Sequence, residues 1–206
     1  MIALYISALV TFFVVIDPPG CAPIFASLTN GTDAAHRRAM AFRSVGIAAA
    51  VLLAFALVGE AFLRAMGIGL DAFRVAGGIM LFLIALEMVF EKRTQRREDR
   101  AQKIIDTEEV EDVSTFPMAM PMIAGPGSIA SVMLLMSQVA DWTARAVVLG
   151  ALASILLLTL LALLAAGPLM KLLGARIEAV ITRLLGVLLA ALAAQFVIDG
   201  LRASFL

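Results

Sequence analysis

Two short runs rich in proline and glycine contain the residues whose types and spacing could do chemistry. The first run, Asp17–Pro23, reads DPPGCAP and places three prolines in seven residues. The second reads GPGS at positions 125–128. Proline lacks a backbone N–H and disfavours helical geometry in the residue before it, and glycine adopts backbone angles that other residues avoid. Each run therefore predicts a place where a helix stops.

Both runs lie within long apolar stretches, and this position makes the predicted breaks informative. Inside hydrocarbon every backbone N–H and C=O needs a partner, so a broken helix is tolerated only beside protein or a water-filled cavity. A helix that begins at such a break directs free N–H groups and the positive end of its dipole towards the interior. Two breaks that meet near the midplane would suit a small anion or zwitterion, with a carboxylate on the N–H groups and an amine or cation on freed carbonyls and Asp17.

The predicted substrate-binding residues come from the two runs and from one polar position in the last apolar segment. They are Asp17, Pro18, Gly20, Cys21, Gly125, Pro126, Gly127, Ser128 and Gln195. Other interpretations stay open, because proline and glycine also form simple kinks, Asp17 could cap the helix after its break, and Gln195 could hydrogen-bond between helices. Ser128 is predicted to cap the helix that follows the second break. A carboxylate at membrane depth is costly, and this favours a functional role for Asp17.

The remaining reactive side chains argue against an enzyme. The sequence has one cysteine, Cys21, and one histidine, His36, too few for the usual metal and acid–base sets. Ser128 is the candidate nucleophile, but His36 lies in a separate polar stretch and no lysine neighbours Ser128. No nucleotide-binding motif is present. We therefore predict no catalysis, no cofactor and no metal, with any energy supplied by a gradient or a partner.

The elements that carry the two runs must be membrane helices. Hydrophobic residues make up 62% of the sequence and charged residues 16%, and the mean hydropathy is +1.01. Soluble domains carry about a quarter charged residues. Sixteen basic residues balance sixteen acidic ones, so no long-range attraction for nucleic acid exists. These numbers predict a single transmembrane domain over residues 1–206, with the lipid bilayer as its surroundings.

Runs of about 20 apolar residues, the length that crosses a bilayer, predict six transmembrane segments. The four uninterrupted segments are Ser44–Leu63, Ala72–Phe90, Ala146–Leu164 and Leu184–Ile198. The two segments that contain the proline and glycine runs are Met1–Leu28 and Phe116–Val139.

The two halves of the chain resemble each other. An Arg-x-x-Gly pattern opens one segment at Arg74 and another at Arg183, 56 and 57 residues after the first prolines of the two runs. Three segments on either side of a charged stretch would place the second half upside down relative to the first. We predict two inverted three-helix repeats, 1–90 and 114–206, whose first segments, the first and fourth of the chain, are broken.

The segment 91–113 carries mixed charges and is predicted to be a solvated loop or a short surface helix. Glu87, just before it, could line the same pathway as Gln195 or lie near the membrane face, and its closeness to the charged segment favours the second position. If both interrupted segments cross the membrane, the loops on the same side as segment 91–113 hold twelve Lys and Arg residues, and those on the other side hold four. The positive-inside rule then places segment 91–113 in the cytoplasm and both termini outside it. Re-entrant segments would give eleven against five, so the number of crossings stays open.

The sequence resembles the MarC family of bacterial integral membrane proteins over nearly its whole length. The resemblance is carried in order by FFVVIDPPGCAPIFASLT from Phe12, FRVAGGIMLFLIALEM from Phe73, PMAMPMIAGPGSIASVM from Pro117 and RLLGVLLAALAAQFVIDGL from Arg183. It implies a six-helix protein of the bacterial inner membrane, grouped with small exporters of the lysine-exporter superfamily. Some members are described as transporters of small neutral amino acids. Cys21 stands where many members are expected to have asparagine, so selectivity is expected to differ if this side chain contacts the solute.

We expect a secondary transporter of small solutes, neutral amino acids in particular, that works by alternating access around the paired breaks and is coupled to H+ or Na+. Asp17 would bind the amine or the coupling ion, and the backbone of 125–128 the carboxylate. A homo-oligomer is compatible with this function. The alternative is a non-transporting or lipid-handling membrane protein, such as a flippase, a sensor or a complex subunit, that uses the charged segment as a partner contact. Deletion of Lys92–Glu109 is expected to abolish function only in that second case.

Overall fold

The structure is a computed structural model that describes residues 1–105 and 112–205, without the side chains at 94, 100, 104, 105 and 167–179. All regular elements of the described residues are helical. A proline-containing stretch, Ser114–Ile123, is named here the proline segment, and its peptide bonds before Pro117 and Pro121 are cis. The other helices are α1 Ile2–Ile16, α2 Pro18–Leu28, α3 Ala34–Ala65, α4 Leu70–Val89, α5 Lys92–Ile105, α6 Pro126–Ser137, α7 Trp142–Leu164 and α8 Ala166–Phe205.

Five helical stretches are long and apolar enough to cross a membrane, and a sixth is added if the proline segment and α6 count as one span bent by 51°. The prediction of an all-helical, multi-pass membrane protein is confirmed. The five stretches are Ile2–Leu28, Ala34–Ala65, Leu70–Val89, Trp142–Leu164 and Val180–Phe205.

Helix α3 is longer than the apolar run Ser44–Leu63 that predicted it. It begins at Ala34 because the Asp33 carboxylate accepts the backbone N–H of His36 at 2.8 Å, which caps a polar first turn. Apolar periodicity marks the part of a helix in contact with lipid or core and says little about its polar ends.

Large apolar side chains point away from the protein on several spans. Leu57, Leu83 and Leu188 are each more than half exposed, as expected where lipid replaces water as the solvent. Two buried hydroxyl groups inside the spans are satisfied locally, since Ser44 and Thr159 donate to carbonyl groups one turn earlier in their own helices.

Helices α4 and α8 run antiparallel and approach closely at glycine residues. A Cβ atom added to Gly78 would lie 2.9 Å from the Ala193 carbonyl oxygen of α8, and one added to Gly186 would lie 3.1 Å from the Ala85 carbonyl oxygen of α4. Small residues allow such close backbone contact in membranes, where helices associate by van der Waals packing. This pair supports one wall of the site described below.

The first part of the charged segment is a short helix with mostly exposed residues, which agrees with the predicted surface helix, but one of its faces is turned to the protein. This helix, α5, packs against α2 and α4, while residues 106–111 lie outside the described residues. Arg93, Arg97 and Ala101 are spaced one turn apart, and all three face the protein. Arginine can lie against the protein interior when acceptors there bind its guanidinium group, and the next subsection identifies those acceptors.

Candidate functional site

The first helix break lies between α1 and α2. The two prolines at the start of α2 prevent α1 from continuing, and Asp17 between the helices has φ 60° and ψ 64°, in the left-handed region. Aspartate tolerates this conformation better than most residues. One carboxylate oxygen, Oδ1, accepts the Gly20 N–H at 3.1 Å, so Asp17 caps α2. The predicted capping role therefore accounts for one of the two carboxylate oxygens of Asp17.

The second oxygen of Asp17 forms an ion pair with α5. Arg97 Nη1 lies 2.8 Å from Asp17 Oδ2, and the two side chains are 11% and 3% exposed. A Cβ atom at Gly20 would collide with the Asp17 carboxylate and lie 2.9 Å from Arg97 Nη1, so this position requires glycine. With both oxygens engaged, Asp17 does not offer a free carboxylate to a solute.

The second break separates the proline segment from α6. Gly125 has extended backbone, Pro126 takes the first helical position, and the first turn of α6 contains N–H groups without helical acceptors. The prediction that Ser128 caps this helix is wrong. Its hydroxyl donates backwards to the Ile123 carbonyl oxygen at 2.7 Å, because that carbonyl loses its own helical partner at the bend.

The two breaks are close together. A Cβ atom added to Gly127 would lie 3.2 Å from Val15 at the end of α1 and 2.6 Å from Ile84 of α4. Glycine at this position therefore lets the first turn of α6 pack directly against the end of α1.

A cavity of about 360 Å³ opens at this junction. Its walls are the second break, apolar side chains of α1 and α4, and four charged side chains. The lining residues are Val15, Met80, Leu83, Ile84, Glu87, Arg93, Arg96, Arg97, Pro121, Met122, Gly125, Pro126, Gly127 and Ser128.

The charges of the cavity are arranged in pairs with one exception. Arg96 lies 2.6 Å from Glu87, and Arg97 binds Asp17. Arg93 donates to the Val15 carbonyl oxygen at 2.6 Å and to the Met88 sulfur at 3.0 Å.

Partial burial, with a smaller contribution from neighbouring Arg97, lowers the pKa of Arg93 to about 10. This value lies far above neutral pH, so the guanidinium remains protonated there. The arrangement can bind an anion at Arg93 and at the first turn of α6, with a carboxylate, Glu87, in the same cavity.

Three other predicted site residues, Pro18, Cys21 and Gln195, do not line the cavity. Pro18 and Cys21 are buried, and the Cys21 thiol donates to the Ile16 carbonyl oxygen at 3.4 Å. Gln195 lies on an exposed face of α8 and donates to Asp199 at 2.7 Å, outside the lining of the cavity. Within the described ranges no group of three histidine, cysteine or carboxylate side chains could hold a metal ion.

Four charged residues of the cavity were not among the predicted site residues. The sequence favours a position near the membrane face for Glu87, and it places Arg93, Arg96 and Arg97 in a segment predicted to be solvated. A signal was present, because Arg93 and Arg97 are four residues apart and share one face of a helix. A second signal was Asp17, since a carboxylate at membrane depth requires a partner.

The comparisons with known proteins agree with this architecture. The sequence model of the MarC family, described as integral membrane proteins, matches residues 2–205. A UPF0056 membrane protein of Methanocaldococcus jannaschii is 36% identical over 98% of both chains. The UPF0056 membrane protein YvbG of Bacillus subtilis is 33% identical over all of this chain and 97% of its own. No solved structure matches the chain.

Nearly the whole sequence is thus aligned with one group of membrane proteins, and the described residues include five helical stretches long and apolar enough to cross a membrane. The chain belongs to the MarC family of integral membrane proteins.

Proposed function

We propose that this protein is a secondary transporter of small solutes, neutral amino acids in particular, which works by alternating access of two inverted halves. The observation that carries the proposal is the cavity at the junction of the two helix breaks, where arginine, glutamate and the first turn of α6 converge. Transporter sites typically lie where interrupted helices of two repeats meet. A volume of about 360 Å³ suits a small solute.

The packing of α4 against α8 supports the inverted repeat. Gly78 and Gly186 are 108 positions apart, as are Pro18 and Pro126. An added Cβ at Gly78 would meet Ala193 and Val197, and one at Gly186 would meet their counterparts 108 positions earlier, Ala85 and Val89. Each half thus makes the contact that the other half makes, as a two-fold axis between inverted repeats requires.

An amino acid fits the charges of the cavity. Its carboxylate would bind Arg93 and the N–H groups of the first turn of α6, and its ammonium group would approach Glu87. Because Arg97 holds Asp17, a proton or Na+ ion that drives transport would have to replace Arg97 at that carboxylate. The excess of basic residues around α5 favours a cytoplasmic position for this end of the cavity, in a bacterial inner membrane.

Uptake and counterflow of labelled alanine, glycine and serine in proteoliposomes, with and without H+ and Na+ gradients, test this function. The variant is Glu87→Gln, which removes the carboxylate of the cavity. The matched control is Glu60→Gln, because Glu60 is similarly exposed and pairs with Arg64 on a different helix. We expect uptake by the wild type and by Glu60→Gln, and a loss of roughly 10-fold or more in Glu87→Gln, because the substitution also removes the carboxylate that holds Arg96 in the wall of the cavity.

Folded wild-type protein that moves none of the three solutes would refute the proposal. The lipid-handling or partner-binding role would then be the better account, and a lipid-scrambling assay on the same proteoliposomes would test the first of these.

A further inference from the structure

Arg93 differs from the other two arginines of the cavity in its electrostatic partners. Arg96 and Arg97 each form an ion pair with a carboxylate. Among the side chains that the structure describes, none forms an ion pair with Arg93, and its two acceptors are a backbone carbonyl oxygen and a thioether sulfur. The three arginines of the described lining face two carboxylates, Glu87 and Asp17, so one positive charge is in excess, and Arg93 is the arginine that has no carboxylate in direct contact.

The hydrogen-bonding capacity of Arg93 is also only partly used. A guanidinium group has five N–H donors in a planar fork that matches a carboxylate. Two of them are accounted for by the Val15 carbonyl oxygen and the Met88 sulfur. The others are available to a ligand in the cavity that Arg93 lines.

We infer that Arg93 is the receptor for the carboxylate of the solute, and that the cavity accepts small monocarboxylates whether or not they carry an ammonium group. The inference rests on the proposed transport function, and it extends the substrate class from amino acids to aliphatic monocarboxylates in general.

The rest of the lining explains why the carboxylate and not the ammonium group decides binding. Glu87, which would receive an ammonium group, already pairs with Arg96 at 2.6 Å, so an ammonium group must compete with a guanidinium. A monocarboxylate such as propanoate would neutralise the excess positive charge by binding Arg93, and it would disturb no ion pair. Its short aliphatic part would contact apolar side chains such as Leu83 and Ile84.

Binding to the purified full-length protein in detergent, followed by calorimetry, tests the inference independently of transport. The probes are propanoate, alanine and alaninamide, which have similar size but carry a carboxylate alone, both groups, or an ammonium group alone. We expect propanoate to bind at least as tightly as alanine, and alaninamide to bind at least 10-fold more weakly than either.

Substitutions at Arg93 provide a second test of the inference. Arg93→Gln is expected to weaken propanoate binding by roughly 10- to 100-fold, because a charged hydrogen-bonding partner is lost. Arg93→Lys should give an intermediate loss, since it keeps the charge but not the planar fork. The control, Arg64→Gln, removes an arginine that is 71% exposed and paired with Glu60, and should leave propanoate binding unchanged.

Three results would overturn the inference: no propanoate binding by folded wild type, alaninamide binding as tight as that of alanine, or wild-type affinity for propanoate in Arg93→Gln. If Arg93→Gln does not fold, the three probes on the wild type still decide the question. Propanoate binding that depends on Arg93, together with absent uptake, would support this inference and refute the transport function. Alanine uptake that is unchanged in Arg93→Gln would support the transport function and refute this inference.

Discussion

Replacing Asp17 by asparagine should destabilise the fold through the loss of one ion pair. Asparagine keeps a side-chain oxygen that can accept the Gly20 N–H, and it tolerates the left-handed backbone at this position. The cap and the backbone are therefore preserved. Only the charge that holds Arg97 at 2.8 Å is removed.

The size of the effect follows from the burial of the pair. With side chains 3% and 11% exposed, Asp17 and Arg97 are shielded from water, and the substitution removes the carboxylate that Arg97 Nη1 contacts. Removal of one partner from a buried pair costs about 3 to 5 kcal/mol. For a chain of this length such a loss lowers the Tm by on the order of 10 °C.

Thermal unfolding of the purified protein in detergent, followed by circular dichroism, measures this loss. The matched control is Glu60→Gln, whose partner Arg64 is 71% exposed, and an exposed pair contributes less than about 1 kcal/mol. A double variant, Asp17→Asn with Arg97→Gln, should recover much of the loss because both members of the pair are then uncharged.

Two results would refute this reasoning. The first is a Tm of Asp17→Asn within a degree of the wild type. The second is a double variant whose loss equals the sum of the two single losses, since independent sites add and a coupled pair does not.

Two further predictions concern α4 and α5. Gly78→Val should lower the Tm by several degrees or prevent folding, because a Cβ atom there would lie 2.9 Å from the Ala193 carbonyl oxygen. Thermal unfolding of this variant measures the effect. The control is Gly150→Val, because a Cβ atom added there meets no atom within 4 Å. Propanoate binding should weaken as the pH rises through about 10, because the guanidinium of Arg93 is protonated below its pKa and neutral above it. Calorimetric titrations from pH 8 to about 10.5 should show this loss of affinity in the wild type and not in Arg93→Gln.

Much of the scaffold could be predicted because it depends on local chemistry. Stretches of about 20 apolar residues predict membrane helices wherever they occur. The interruption at Asp17 follows from two prolines that cannot donate helical hydrogen bonds. The family could also be identified from four ordered motifs, and the sequence model of the family matches residues 2–205.

The charged half of the site could not be predicted in the same way. Arg97 is 80 residues from Asp17 in the chain, and composition does not reveal which arginine of a charged segment reaches a distant carboxylate. Gln195 is predicted as a site residue because it is polar and lies within an apolar segment. In the structure its side chain donates a hydrogen bond to Asp199, one turn later on an exposed face. The direction in which each polar side chain points depends on tertiary packing, which a single sequence does not state.

The position of α5 also changes how the deletion of Lys92–Glu109 must be interpreted. The described part of this segment supplies Arg93 and Arg97 to the cavity and to the first break, respectively. Its removal is therefore expected to impair a transporter as well as an interaction protein. Single substitutions at these arginines are the more informative test.

The ion pair between Arg97 and Asp17 makes the two breaks unequal. At the first break the guanidinium acts as a tethered internal ligand, held by the chain at a place that a solute cation could otherwise take. In the inverted repeat proposed above, the position that corresponds to Asp17 is Gly125, 108 residues later, which has no charge to neutralise and lines the open cavity. The proposed transporter would thus bind one solute molecule per chain rather than two.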